Sequence, residues 1–154
     1  MRALVQRAAS GWVRVEQPGP DARRTWVETG RIGPGLVVLL GVTHDDQASC
    51  AQRMAEKLWN LRVFADDDGA MNRSCAQVGG ELLVVSQFTL YGDTSKGRRP
   101  SYVAAARPEQ AEPIIDAVVD ELRALGAVVA TGRFGAMMQV GLVNDGPVTL
   151  WVEL

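Results

Sequence analysis

The sequence predicts a mixed α/β fold, rich in strand and built as one domain over residues 1–154. Three observations carry this prediction. Apolar residues make up 47% of a 154-residue chain, enough to bury a sizeable core in one unit. The segments read in order as two strands, two strand-helix units and three closing strands. No repeat, linker or shift of composition divides the chain.

Each element has its own reason. "RALVQRA" alternates, with Ala3, Val5 and Arg7 on one face. "WVRVE" is expected to pair with it as a hairpin around Ser10-Gly11, turning Val13 and Val15 inward. "QPGPDARR" is polar and broken by proline, and predicts an exposed loop. "GLVVLLGVT" is apolar on both faces and predicts a central buried strand. In "DDQASCAQRMAEKLWNLRVF", Ala51, Met54, Ala55, Leu58 and Leu61 fall on one helical stripe, with Asp45 or Asp46 placed to cap it. "ADDDGAMN" predicts a solvated turn, because its three aspartates lack the later ligand positions of a calcium loop. "ELLVVSQFTL" predicts the next strand and "YGDTSKGRRPS" a loop. "PEQAEPIIDAVVDELRALG" predicts a second amphipathic helix, with Ile114, Ile115, Val118, Val119, Leu122 and Leu125 as its stripe. Pro113 is expected near its start and Gly126 at its end. "AVVAT", "MMQVGLV" and "VTLWVE" predict the closing strands.

Composition removes several function classes. A net charge of −2 argues against a protein that coats nucleic acid through a broad basic face, and DNA is not an expected partner. No apolar run approaches membrane-spanning length, and "MRALVQRAAS" lacks the apolar core of a secretory signal. A cytoplasmic location is expected, with Cys50 and Cys75 as reduced thiols outside any metal or redox spacing. The single histidine, His44, follows a strand and precedes two aspartates, and reads as a turn residue rather than a catalytic one.

Three places could carry chemistry. Ser86, Gln87, Phe88 and Thr89 form the polar end of an otherwise apolar strand, a position that lines pockets or merely satisfies nearby backbone. Ser86 lacks the Gly-x-Ser-x-Gly elbow of a serine hydrolase. Lys96, Arg98 and Arg99 form the densest cationic cluster, able to meet phosphate or to sit in water. In "NDGPVT", the Asn144-Asp145-Gly146 run already supplies a hairpin turn, so Pro147 asks for a second explanation. A Gly-Pro bond has access to the cis form, which would fix two successive carbonyls in an unusual direction; an ordinary turn is the alternative.

"SQFTLYGDTSKGRRPSY" (86–102), "TGRFGAMMQV" (131–140) and "LVNDGPVT" (142–149) together resemble the D-aminoacyl-tRNA deacylases, also called D-tyrosyl-tRNA deacylases. "ALVQR" and "IGPGLVVLLGV" extend the resemblance over nearly the whole chain. It implies a β-rich, three-layer α/β fold: two packed, barrel-like sheets with a layer of two main helices. It implies hydrolysis of the ester between a D-amino acid, or achiral glycine, and the 3′ end of tRNA. It also implies a homodimer with its active site at the subunit interface, and no metal or other cofactor.

Carried onto this chain, Gly146 and Pro147 would be a Gly-cisPro pair inserted into the partner's pocket, where it excludes an L side chain. Arg7 would brace that pair from within the fold. Ser86, Gln87, Phe88 and Thr89 would wall the pocket, with backbone amides near Phe88 and Thr89 as oxyanion donors. Met138 and Asn144 would sit nearby. Three features depart from the family pattern: a longer loop at "QPGPDARRTW", Met137 where an acid is frequent, and Tyr102 where phenylalanine is usual. A non-catalytic module that binds the tRNA end and a general small-ester hydrolase are the competing functions.

Overall fold

A computed structural model describes residues 1–19 and 23–154. It contains a six-stranded sheet, a two-stranded sheet and three helices. The first strand, β1, runs unbroken from Arg2 to Pro18, and β2 follows at Arg24–Ile32. The expected hairpin at Ser10-Gly11 is therefore absent. Gly11 serves packing rather than a turn, since a Cβ there would lie 2.8 Å from Val37 Cγ2. β2 was not foreseen, and the predicted loop after "WVRVE" lends Gln17 and Pro18 to β1 and Arg24 to β2. The rest of that loop lies partly outside the described residues.

β3 (Gly35–Gly41) is the central strand of the path β2-β1-β3-β6-β7, as its two apolar faces require. β6 (Glu81–Ser86) lies parallel to β3, and β7 (Val129–Thr131) parallel to β6. β8 (Met138–Glu153) pairs antiparallel with β1 along most of its length, so the last two expected strands are one. The sheet curls until β2 meets β7, where Thr29 Oγ1 donates to Thr131 C=O at 3.4 Å. The result is a nearly closed, barrel-like sheet.

Side-chain alternation sends the two faces into two cores. Ala8, Val13, Ile32, Val37, Leu83 and Val85 fill the inside of the curl. Val5, Leu36, Leu40 and Leu82 share the outer core with Leu58 of α1 (Ala48–Trp59) and Leu122 of α3 (Pro108–Ala124). Each such side chain, fully buried, is worth about 1.5–3 kcal/mol.

α1 starts after Gln47 without a side-chain cap, contrary to the expected role of Asp45 or Asp46. Asp46 instead accepts from the Met1 ammonium at 2.7 Å and from the Thr43 N–H at 2.8 Å. α1 ends before Leu61, which packs on the core from beyond the helix. A small sheet of β4 (Arg62–Ala65) and β5 (Met71–Ser74) follows, then the short α2 (Cys75–Val78). The "ADDDGAMN" turn joins β4 to β5, with Asp66 accepting from the Asp68 and Ala70 amides at 3.0 and 2.9 Å.

In α3 the N1 proline is Pro108, which gives up an amide that has no helical partner anyway. Pro113 lies inside the helix on an exposed face rather than near its start. Leu125 caps the C-terminus and is exposed, so the buried stripe stops at Leu122. Gly126, with φ of +95°, ends the helix in the left-handed region as expected. No helix among the described residues is long and apolar enough to cross a membrane.

Candidate active site

β6 is buried on both faces as far as Val85 and ends at Ser86, short of the strand to Leu90 expected from the sequence. The Gln87 N–H still reaches the Leu40 C=O of β3 at 2.8 Å, which fixes where the chain leaves the sheet. Phe88–Tyr91 then forms one 3-10 turn. Its first bond runs from the Leu90 N–H to the Gln87 C=O at 3.3 Å. The Phe88 and Thr89 amides precede that bond, and neither donates to another group among the described residues. Thr89 Oγ1 accepts from the Gln87 side-chain amide.

A cavity of about 440 Å³ opens beside this turn. Ser86, Gln87 and Phe88 line it together with Tyr102, Arg107 and Phe134. Phe88 is 57% exposed and meets Tyr102 edge to face, with ring centroids 5.1 Å apart. A smaller cavity of about 250 Å³ shares Ser86, Ile115 and Phe134 with the first. Among the described residues no carboxylate or imidazole hydrogen-bonds to the Ser86, Gln87 or Thr89 side chain, although Asp116 and Asp120 line the smaller cavity. His44 is exposed, lines neither cavity, and has Nε2 2.8 Å from the Val103 C=O. Burial pushes the Tyr91 hydroxyl and the Cys75 thiol each up to about 12, so neither ionises near neutral pH.

The second feature lies on β8. On one side of it Ala8 pairs with Asn144, and on the other Gln6 pairs with Thr149. Only Arg7 lies between the β1 partners, whereas Asp145, Gly146, Pro147 and Val148 lie between those of β8. The "NDGPVT" stretch is thus a bulge in one strand, not a turn between two. The Gly146-Pro147 bond in it is cis.

Side chains hold the bulge. Arg7, whose side chain is only 12% exposed, places Nε 2.8 Å from Asp145 Oδ2 and 3.2 Å from the Asp145 carbonyl. Its Nη2 donates to the Gly146 C=O at 3.4 Å, and its Nη1 to the Val63 C=O. Asn144 Nδ2 donates across the neck of the bulge to the Arg7 C=O at 2.9 Å and the Val148 C=O at 3.1 Å. Val148 is buried, while Gly146 and Pro147 are exposed.

The residues singled out in the sequence therefore fall into two groups. Ser86, Gln87 and Phe88 line the larger cavity, with Thr89 hydrogen-bonded beside them. Arg7, Asn144, Gly146 and Pro147 form the bulge, and no residue from 144 to 149 lines that cavity. Met138 joins neither group, packing its sulfur over Gly132 on the inner side of the curl. Arg107 and Phe134 were not foreseen as lining residues. They come from separate segments, although Phe134 lies inside the quoted "TGRFGAMMQV".

A polar strand end beside a mostly apolar cavity, with undonated amides next to it, is a site suited to acyl-group chemistry. Comparison with known proteins defines the class. Residues 4–153 match the family model described as D-Tyr-tRNA(Tyr) deacylase. The chain is 55% identical to the D-aminoacyl-tRNA deacylase of Heliobacterium modesticaldum, covering 99% of this chain and 96% of that one. It is 53% identical to that of Streptomyces avermitilis, covering 99% of each. A solved structure titled c-Myc DNA Unwinding Element Binding Protein superposes with a TM-score of 0.85 at 36% identity, over 100% of this chain and 99% of that one. The fold is also shared, at a TM-score of 0.77 and 17% identity, with a probable eukaryotic D-amino acid tRNA deacylase, over 99% of this chain and 98% of that one. The chain belongs to the D-Tyr-tRNA(Tyr) deacylase family. It is an enzyme of the hydrolase class, a D-aminoacyl-tRNA deacylase.

Proposed function

We propose that the enzyme proofreads chirality in the cytoplasm as a homodimer, with the Gly146-Pro147 bulge of one subunit closing the cavity of the other. It releases D-amino acids, and achiral glycine, from the 3′ end of tRNA. One observation carries this reading: the cavity beside Ser86 and the braced bulge lie apart on the same chain. A bulge held by Arg7 and Asn144 yet exposed at Gly146 and Pro147 is a rigid backbone surface with no occupant of its own. Exposed apolar side chains on β8, Val143 at 59% and Trp151 at 49%, favour a second protein surface against that strand.

The chemistry needs few groups. An aminoacyl ester is already activated, so water can attack its carbonyl without a strong protein nucleophile. The Phe88 and Thr89 amides receive the developing oxyanion, each worth ~3 kcal/mol if well aimed. The carbonyl-ribose bond then breaks, and the ribose oxygen takes up the proton that the attacking water loses. Thr89 is disfavoured as nucleophile, because its recorded hydrogen-bond partner is the Gln87 amide, which donates and cannot act as a base. Backbone at Gly146 and Pro147 crowds the place an L side chain needs. A filter by exclusion admits glycine, which has no side chain to exclude.

The test is deacylation of D-Tyr-tRNA and L-Tyr-tRNA side by side with chelator present. Loss of the D ester alone is expected; loss of both would overturn the filter. Mixing a Gly146 variant with a Phe88 variant, each impaired alone, should restore part of the activity through mixed dimers. No recovery in dimers shown to have exchanged subunits would overturn the shared site.

A further inference from the structure

We propose that the loop of residues 94–100 grips the phosphate backbone of the tRNA and leads its 3′ end into the cavity beside Ser86. This inference rests on reading that cavity as the tRNA-end site. The loop, "TSKGRRP", holds three cations and no acid in a chain of net charge −2. Lys96, Arg98 and Arg99 are exposed, and none makes an ion pair or side-chain hydrogen bond among the described residues.

The loop is also held in place. Asp93 and Ser101 exchange backbone hydrogen bonds of 2.8 and 2.9 Å across its base. The Asp93 carboxylate, the nearest acid in sequence, accepts from the Ser95 N–H at 2.8 Å. Gly97 turns the tip at φ +72°. The loop's roots adjoin the cavity lining: Ser101 precedes Tyr102, which lines the cavity, and a Cβ on Gly92 would lie 2.9 Å from the Tyr102 ring. Three exposed cations, without an ion-pair partner among the described residues, on a loop rooted beside the cavity suit a polyanion whose end enters it.

The direct test is binding of uncharged tRNA over a salt series, comparing the wild type with K96A/R98A/R99A and with the charge-keeping K96R/R98K/R99K. Affinity of the alanine variant should fall about tenfold or more at low salt, and its salt slope by about one unit per lost contact. The charge-keeping variant should retain most of the binding. Hydrolysis of D-tyrosyl-adenosine, which lacks the tRNA body, should proceed alike in the wild type and the alanine variant. Wild-type tRNA affinity and slope in the alanine variant would overturn the proposal. So would an equal loss on the small ester, or an unchanged affinity for tRNA with lost affinity for an acidic peptide. Failure of the wild type to cleave the small ester, with the tRNA result intact, would count against the reading of the cavity and leave the loop's role standing.

Discussion

The turn after β6 and the bulge in β8 both interrupt a strand, and they do it in opposite ways. At Ser86 the chain leaves its place beside β3 and does not rejoin that strand, and the Phe88 and Thr89 amides are left undonated among the described residues. At Asn144 the chain leaves β1, makes an excursion of four residues and rejoins the same strand at Thr149. The turn offers donors and is set by a backbone bond to β3. The bulge offers bare backbone and is set by the side chains of Arg7 and Asn144. Side-chain substitution should therefore damage the bulge far more than the turn.

The largest effect is expected at Arg7. Arg7→Ala strips Asp145, Gly146 and Val63 of a shared cationic donor, and should cost ~2–3 kcal/mol in urea unfolding. Misplacement of the bulge should lower kcat/KM for D-Tyr-tRNA about 100-fold. Arg7→Lys should recover little, because a single ammonium cannot reproduce the fork. Wild-type turnover in Arg7→Ala would break the contrast between the two regions.

Gly146→Ala separates fold from function. A Cβ at Gly146 meets nothing closer than Asn144 Oδ1 at 3.7 Å, so the melting temperature should be unchanged. In the proposed shared site the added methyl group would project toward substrate, and kcat/KM should fall ~30-fold through overpacking of the bound state. Asn144→Ala should be milder: two hydrogen bonds at the neck are lost, for ~1–2 kcal/mol and up to about tenfold in kcat/KM. Thr89→Val should have the smallest effect, within about threefold in kcat, since the proposed mechanism uses the backbone amide rather than the hydroxyl. Abolished turnover in Thr89→Val would make Thr89 the nucleophile.

What was legible in the sequence was whatever local pattern controls. β3 and the stripes of α1 and α3 follow from burial, and the family motifs marked both regions of the site. The rest depended on distant partners. Gly11 looks like a turn residue, yet its bare Cα is there for Val37 on the neighbouring strand. β2 is exposed along most of its length, so it shows no alternation to detect. Asn144-Asp145-Gly146 carries turn chemistry, but pairing with β1 on both sides makes it a bulge. Phe134 and Arg107 reach the cavity through tertiary structure, with no signal near Ser86 in sequence.

The pairing of β1 has a consequence for the order of assembly. Residues 2–15 are made well before residues 138–153, yet one of their edges is completed only by those later residues. Until then β1 presents unpaired amides and carbonyls along that edge, a template for the wrong neighbour. Closure of the sheet must wait until residues 138–153 have been made. So large a sequence separation places folding on the slow side, in milliseconds to seconds rather than microseconds. The same strand that anchors Arg7 under the bulge thus makes the newly made chain depend on residues far later in the sequence.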